Sequence, residues 1–361
     1  MKILDWYILK RYLTTFFFTL LILIPIAVAI DISEKIDKFL RNDDLTLFEI
    51  ANDYYKNFII YYANTFLPLA LFIAVIIFTS RLANNSEIVA INSSQISFTR
   101  FLYPYFLGAT LVTIFALFMN HFIVPNSSKT RKEFENNYFK KQKYEDRTVR
   151  NFSLQLNDST YIFIQNFDLK RNQGYNFSTE TYSGLKLKYK LEADNITWRE
   201  QDTAFRLLNW KERRIFNNID SISTGNSKDT TFAFTPKDFN YKSTYAQEMP
   251  SGELSEFIKI SKKRGVKNLN AYLVEFYKRT SLPVASYILT LIAVALAHKK
   301  RRGGMGVNLA FGISIMFIYV FFLKVAEVLG AVAGANALLN VWMPNIVFGC
   351  LAIYLYFNAR K

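Results

Sequence analysis

The sequence predicts an α-helical membrane protein with six transmembrane helices, arranged three plus three around an inserted extracytoplasmic all-β domain. Three observations carry this. Six apolar runs approach or reach the length of a bilayer crossing, which is about 20 residues per helix. A long polar middle region shows the two-residue alternation of strands. Basic residues collect on alternate short connections. The chain has 361 residues, 51% hydrophobic and 17% aromatic, distributed too unevenly for one soluble core.

The first three spans are Leu13 to Ile30, Phe58 to Ser80 and Phe101 to Val124. The last three, Leu282 to Ala297, Val307 to Leu323 and Met343 to Phe357, are shorter and need interfacial flanks to complete the crossing. The first run follows Lys2, Lys10 and Arg11, as a signal peptide would. It exceeds a signal core and lacks a small-residue cleavage site before "DISEKID", so it is expected to remain as a helix. Lys2, Lys10 and Arg11, then Arg81 and Arg100, then "HKKRR" from His298 to Arg302, then Arg360 and Lys361 all fall on one side. The positive-inside rule makes that side cytoplasmic, with both termini, and puts roughly Pro125 to Asn270 and the acidic loop Asp31 to Asp53 outside. The expected domains are 1–124, 125–270 and 271–361.

Within the middle region, "GLKLKYKLEADNITW" sets Leu185, Leu187, Tyr189, Leu191 and Ala193 on one face and Lys186, Lys188, Lys190 and Glu192 on the other. "STYIFIQNFD" and "AFRLLNWKERRIF" read as further strands bounded by turn residues. A sandwich, jelly roll or open barrel is expected, with the lysine row as a solvated face.

The net charge of +15 has two readings, membrane anchoring and an anionic partner such as a lipid or glycolipid. Nucleic acid is not indicated, because the basic residues are divided between the two sides of the membrane. Cys350 is the single cysteine, and His121 and His298 lie near opposite ends of the bilayer, so neither a disulfide nor a metal cluster is expected. "RRGGMG" lacks the Lys and Ser or Thr of a phosphate-binding loop. The chain therefore has no expected catalytic residue, cofactor or ATPase site of its own, and chemical energy for any transport must come from another protein.

"LDWYILKRYLTTF" (Leu4 to Phe16), "SEIVAINSS" in the second cytoplasmic segment, "MGVNLAFGIS" (Met305 to Ser314) and "VWMPNIVFG" (Val341 to Gly349) resemble, in this order, the lipopolysaccharide-export permeases of the LptF/LptG type, also called the YjgP/YjgQ family. The resemblance covers both membrane halves; the β domain matches in position and strand character. It implies a permease subunit of an ABC-type exporter in the bacterial inner membrane. Two such permeases, paralogues or identical copies, would surround a cavity. An LptB-like ATPase dimer would use ATP to drive lipopolysaccharide extraction, and a jelly-roll-like periplasmic domain would pass the lipid to an LptC/LptA-like bridge.

The same resemblance makes the segment near 84–97 a coupling helix. Ser86, Glu87, Ile88, Val89 and Ile91 would meet the ATPase, with Glu87 facing a basic group and Ser86 capping the helix. An acid in a first turn also suits the helix dipole, and the isoleucines could face headgroups. Two departures stand out. The family often has a glycine late in this segment, where this chain reads "SSQIS", and a basic residue near the outer end of span one, where this chain has Asp31. Lys35, Lys38 and Arg41 follow Asp31 and are candidates for the substrate path, alongside the reading of "EKIDKFLR" as an ordinary solvated helix. Lys324, three residues before Glu327, is a further path candidate, with snorkelling as its bland reading. A receptor with an extracytoplasmic β sensor is the alternative for the whole chain, although its inner loops are short for an output domain.

Overall fold

A hydrocarbon interior offers no hydrogen-bond partners, so each apolar run must close its backbone bonds on itself as a helix. The computed structural model describes residues 3–42, 45–139, 148–216, 219–236, 243–263, 266, 269–300 and 304–360. Lys2, Arg301, Arg302 and Lys361, counted above as cytoplasmic charges, lie outside the described residues. Among the described residues, six helices are long and apolar enough to cross a membrane.

α1 runs from Ile3 to Leu40. At 1.5 Å per residue its 38 residues span about 57 Å, well beyond the apolar run, so Asp31 and Lys35 are helical rather than in a loop. α2 (Leu47–Glu49) opens with a capping box between Thr46 and Glu49 and passes through a π-helical stretch, Ile50–Tyr55, into α3 (Lys56–Asn84). α4 (Glu87–Ser93) is the short helix of the second connection. α5 (Phe98–Phe118) continues through a π-helical stretch into α6 (Val124–Phe134). Past the β region, α7 covers Ser251–Lys263, α8 Asn270–Ala297, α9 Gly304–Gly330 and α10 Ala337–Arg360. Pro25 and Pro68 sit inside unbroken α1 and α3.

The chain divides into two compact units. The membrane unit comprises Met1–Phe134, Ala246–Leu254 and Asn270–Lys361. Its boundary falls at Phe134 rather than at 124, because helix continues after the apolar run has ended. α3 is the centre of this unit: its apolar stretch is 72% buried, whereas that of α1 is 0% buried. Small residues let helices approach. A Cβ on Gly108 of α5 would lie 1.4 Å from the Tyr12 hydroxyl of α1, and one on Gly312 of α9 would lie 2.2 Å from Ile76 of α3. Tyr12 is fully buried, donates to the Tyr105 carbonyl at 3.1 Å and stacks on the Tyr105 ring.

Pro283 in α8 has no N–H for the carbonyl of Arg279, four residues earlier. Asn120 supplies the missing donor: its Nδ2 donates to the Arg279 carbonyl at 3.1 Å. Thr113 donates to the Pro283 carbonyl at 3.2 Å, so α5 and its extension bond to α8 through the proline's own surroundings.

The second unit holds β1 (Thr148–Asn157), β2 (Thr160–Asp168), β3 (Gln173–Ser183), β4 (Lys186–Arg199), β5 (Ala204–Phe216) and β6 (Ile219–Thr230). All pairings are antiparallel and the strands lie in chain order in one sheet. The inserted all-β domain is as expected, but in place of a sandwich, jelly roll or open barrel the described residues form one up-and-down sheet, because each strand pairs with the next through a short connection. Its apolar face carries Phe152, Leu154, Ile162, Ile164, Phe177, Leu191, Ala193, Phe205 and Leu207. Phe232 and Phe234, beyond β6, fold against Phe205 with ring centroids 5.9 and 4.7 Å away.

The alternation in β4 holds for Leu191 and Ala193 but not for Leu185, which is fully exposed. Ser183 pairs with Lys186, leaving Gly184 (φ 61°) and Leu185 as a two-residue hairpin tip. Lys190 pairs with Glu180 at 3.2 Å and Glu192 at 2.8 Å, while Lys186 and Lys188 are exposed.

On β5, the buried Glu212 accepts from Lys228 and Arg214, each at 2.5 Å. The Lys228 ammonium, with Arg214 beside it, holds the Glu212 carboxyl below its ordinary range against the upward push of burial. A carboxyl whose folded pKa is depressed stabilises the fold fully above its unfolded value and loses that contribution as pH falls through the folded value.

Two outcomes are expected. Gly108→Leu should lower the thermal midpoint of the detergent-solubilised protein by the equivalent of about 1–3 kcal/mol, the usual range for overpacking. An unchanged midpoint would show that Tyr12 yields freely. Glu212→Gln should speed amide hydrogen exchange in β4 to β6 at pH 7, with the gap to wild type closing as both are acidified below the carboxylate range. A gap independent of pH would remove the ion pairs as its cause.

Candidate functional site: the junction of the first helix and the short helix

α4 is too short to be stable by itself, so its position is set by what flanks and packs on it. Ser86 (φ 61°) and Gln95 (φ 59°) take the left-handed conformation at its two ends. The Ser86 carbonyl accepts from Ala90 N at 3.1 Å. Its positive φ departs from the extended backbone usual for a side-chain N-cap, so the capping role expected for the Ser86 hydroxyl is corrected. Gln95, in "SSQIS", adopts the backbone region that a glycine would enter without strain.

Two of the three apolar residues expected to meet a partner point inward. Ile88 and Ile91 are 5% and 9% exposed and join the membrane core with Ile8, Leu82 and Phe101. They cannot at the same time form the docking face. Val89 remains outward at 60% exposure.

Glu87 is held from α1: Tyr7 Oη donates to its Oε2 at 2.9 Å, and Asn85 Nδ2 donates to its Oε1 at 3.2 Å. Past the short helix, Arg100 Nη2 donates to Asp5 Oδ2 at 2.7 Å, and Asp5 is 2% exposed. Asp5 and Tyr7 thus tie α1 to both ends of the α4 connection. Sequence reading missed Asp5, Tyr7 and Arg100 as functional residues. Their signal was an acid and a phenol inside an otherwise basic-apolar helix start, opposite a basic residue after the short helix.

The substrate-path candidates occupy two other places in the membrane unit. Lys35 donates to Asp31 Oδ1 at 2.7 Å, and Asp31 also accepts from Tyr54 at 3.0 Å and Tyr55 at 3.4 Å. Asp31 therefore pins α1 to the π-helical stretch that leads into α3. Lys38 and Arg41 are exposed. Lys324 donates to Glu327 at 2.9 Å, but Glu327 also binds Lys278 of α8 at 2.8 Å, so the pair is part of an α8–α9 network.

Next to Lys278, Arg279 is 3% exposed and donates at 2.7 Å to Ser251 Oγ and to the carbonyls of Ala246 and Met249. Lys278 and Arg279 look in the sequence like the ordinary basic flank of a span, which concealed the ion pairing of Lys278 and the burial of Arg279. Among the described residues no three His, Cys, Asp or Glu side chains converge as a metal site would require.

Two stretches that carry the sequence resemblance, at Leu4 to Phe16 and around Ser86 to Ser94, are thus in direct contact. The family profile described as lipopolysaccharide export system permease LptF/LptG matches residues 6–358, through both membrane halves and the β unit. A search of curated proteins gives no match. With nearly the whole length matched, the chain belongs to the LptF/LptG family of lipopolysaccharide export permeases.

Proposed function

We propose that this chain is the permease subunit of an ABC-type complex that extracts lipopolysaccharide from the bacterial inner membrane and delivers it to a periplasmic LptC/LptA-like bridge. An LptB-like ATPase dimer supplies the ATP-driven motion, and a paralogous permease or a second copy completes the cavity. The starts of α1 and α4 then face the cytoplasm and the β unit the periplasm, as the distribution of Lys and Arg favours.

The observation that carries the reading is the anchoring of α4. Its inward face is fused to the core by Ile88 and Ile91, its first residue is tied to α1 by Glu87–Tyr7, and α5, which follows it, is tied to α1 by Arg100–Asp5. A force applied to the outward face at Val89 would move a packed unit rather than bend a loop. Glu87 acts first as a strut to α1, and its ATPase contact is secondary. Arg41, exposed just beyond α1, is the better candidate for lipopolysaccharide phosphates, and the exposed Lys38 about one turn before it is a further one. Lys35 and Lys324 already have carboxylate partners and would have to exchange them.

Val89→Asp should cut recovery of the ATPase in an affinity pulldown about tenfold, as loss of one well-packed interface residue does; full recovery would move the docking face elsewhere. Tyr7→Phe and Glu87→Ala should each leave ATPase recovery close to wild type while reducing lipopolysaccharide released per ATP hydrolysed. The double variant should be no worse than the more damaging single one, because both remove the same contact. Strictly additive losses would dismiss the strut.

A further inference from the structure

A cavity of about 500 Å³ opens between the start of α1 and the end of α3. Lys10, Arg11 and Arg81 line it, with Glu87 as its one carboxylate, so its walls carry a net excess of positive charge. Among the described residues none of the three cations is in an ion pair. Glu87 is engaged by neutral donors, Tyr7 and Asn85. Arg11 lies over the Tyr7 ring, 5.0 Å from its centroid, which holds the guanidinium at the cavity wall. The Thr14 and Thr15 hydroxyls donate to the carbonyls of Lys10 and Arg11, so the cations are the donors left for a ligand.

The remaining wall is apolar. Phe18 and Phe78 line it, and Phe18 belongs to the exposed face of α1 with Phe17, Leu21 and Ile22. A ligand suited to both walls has an anionic head for the three cations and a hydrocarbon portion for the aromatic side. We infer that this cavity takes the phosphate of an acidic phospholipid, with an acyl chain laid along the exposed face of α1. A free phosphate would satisfy the cations but leave Phe18 and Phe78 without use. An uncharged or zwitterionic lipid would leave the positive excess uncompensated.

The cavity shares Tyr7 and Glu87 with the strut between α1 and α4, so a bound headgroup sits against that junction. The inference concerns lipid binding alone and is tested without ATP or an ATPase, so it can fail while the export reading stands, and the reverse.

The full-length protein, purified in detergent, is incubated with equal amounts of phosphatidylglycerol and phosphatidylcholine of the same acyl chains, and retained lipid is counted by native mass spectrometry. The expected result is clear preference for phosphatidylglycerol. Each cation near a membrane surface contributes about fivefold, so Lys10→Gln alone should reduce the preference about fivefold and Arg11→Gln/Arg81→Gln on the order of twentyfold. Lys299→Gln/Lys300→Gln, which removes the same charge outside the cavity, should leave it unchanged. Equal retention of the two lipids by wild type, or an equal loss in the control pair, would overturn the inference. Displacement of the lipid by millimolar glycerol 3-phosphate would also overturn it, in favour of a soluble phosphate ligand. The mild Lys10→Gln substitution keeps the test decisive if the double variant does not fold.

Discussion

The structure depends on one constraint: within hydrocarbon every polar group must find its partner inside the protein. The six spans are helices for that reason, and so are the exceptions to regular helix resolved locally. Pro283 frees the Arg279 carbonyl, and Asn120 fills it. The charges in the membrane unit obey the same rule. The buried Asp5 pairs with Arg100, the buried Asp31 with Lys35 and two tyrosines, and the half-buried Glu327 with Lys278 and Lys324. Taking charges out of water costs several kcal/mol per ion, so such pairs are weak devices for stability alone. Their common property is position, because each joins helices or segments that a purely apolar interface would leave free to slide.

The location of these ties separates α1 from the rest. α3 is enclosed by its neighbours, while the apolar stretch of α1 is not buried at all within the chain. Instead α1 is fastened near both ends, at Asp5 and Tyr7 and again at Asp31. A helix held at its ends by polar contacts and exposed along its middle can keep register while presenting an apolar face to lipid or to another membrane helix. Tyr12 against Gly108 adds one close contact between the two fastenings.

Much of this was legible in the sequence where one periodicity or one length decides the matter. The six spans follow from hydropathy, and the inward face of β4 follows from alternation at Leu191 and Ala193. Legibility failed where a local rule met a tertiary one. Leu185 fits the alternation but falls on a hairpin tip because Gly184 supplies the turn. α1 outruns its hydropathy because charged residues at helical spacing extend it to Leu40. Ile88 and Ile91 were read as facing a partner, since three residues of an α4 turn cannot be oriented without knowing which side the core is on. Lys278 and Arg279 resemble any basic flank until α9 and the Ala246 to Ser251 segment are placed against them.

The contact between α1 and α4 joins two stretches about 80 residues apart in the chain. Tyr7 has a use only if an acceptor stands at position 87, and Asp5 can be buried only if Arg100 neutralises it. The Asp5–Arg100 pair adds little stability over a well-packed apolar substitute, and its effect is to fix the position of α1 against α5. Ile88 and Ile91 could hold α4 against the core unaided, but apolar packing tolerates small slips. Hydrogen bonds at 2.7 and 2.9 Å do not. A short helix anchored by both kinds of contact is held in register with α1 and cannot swing as a free loop would.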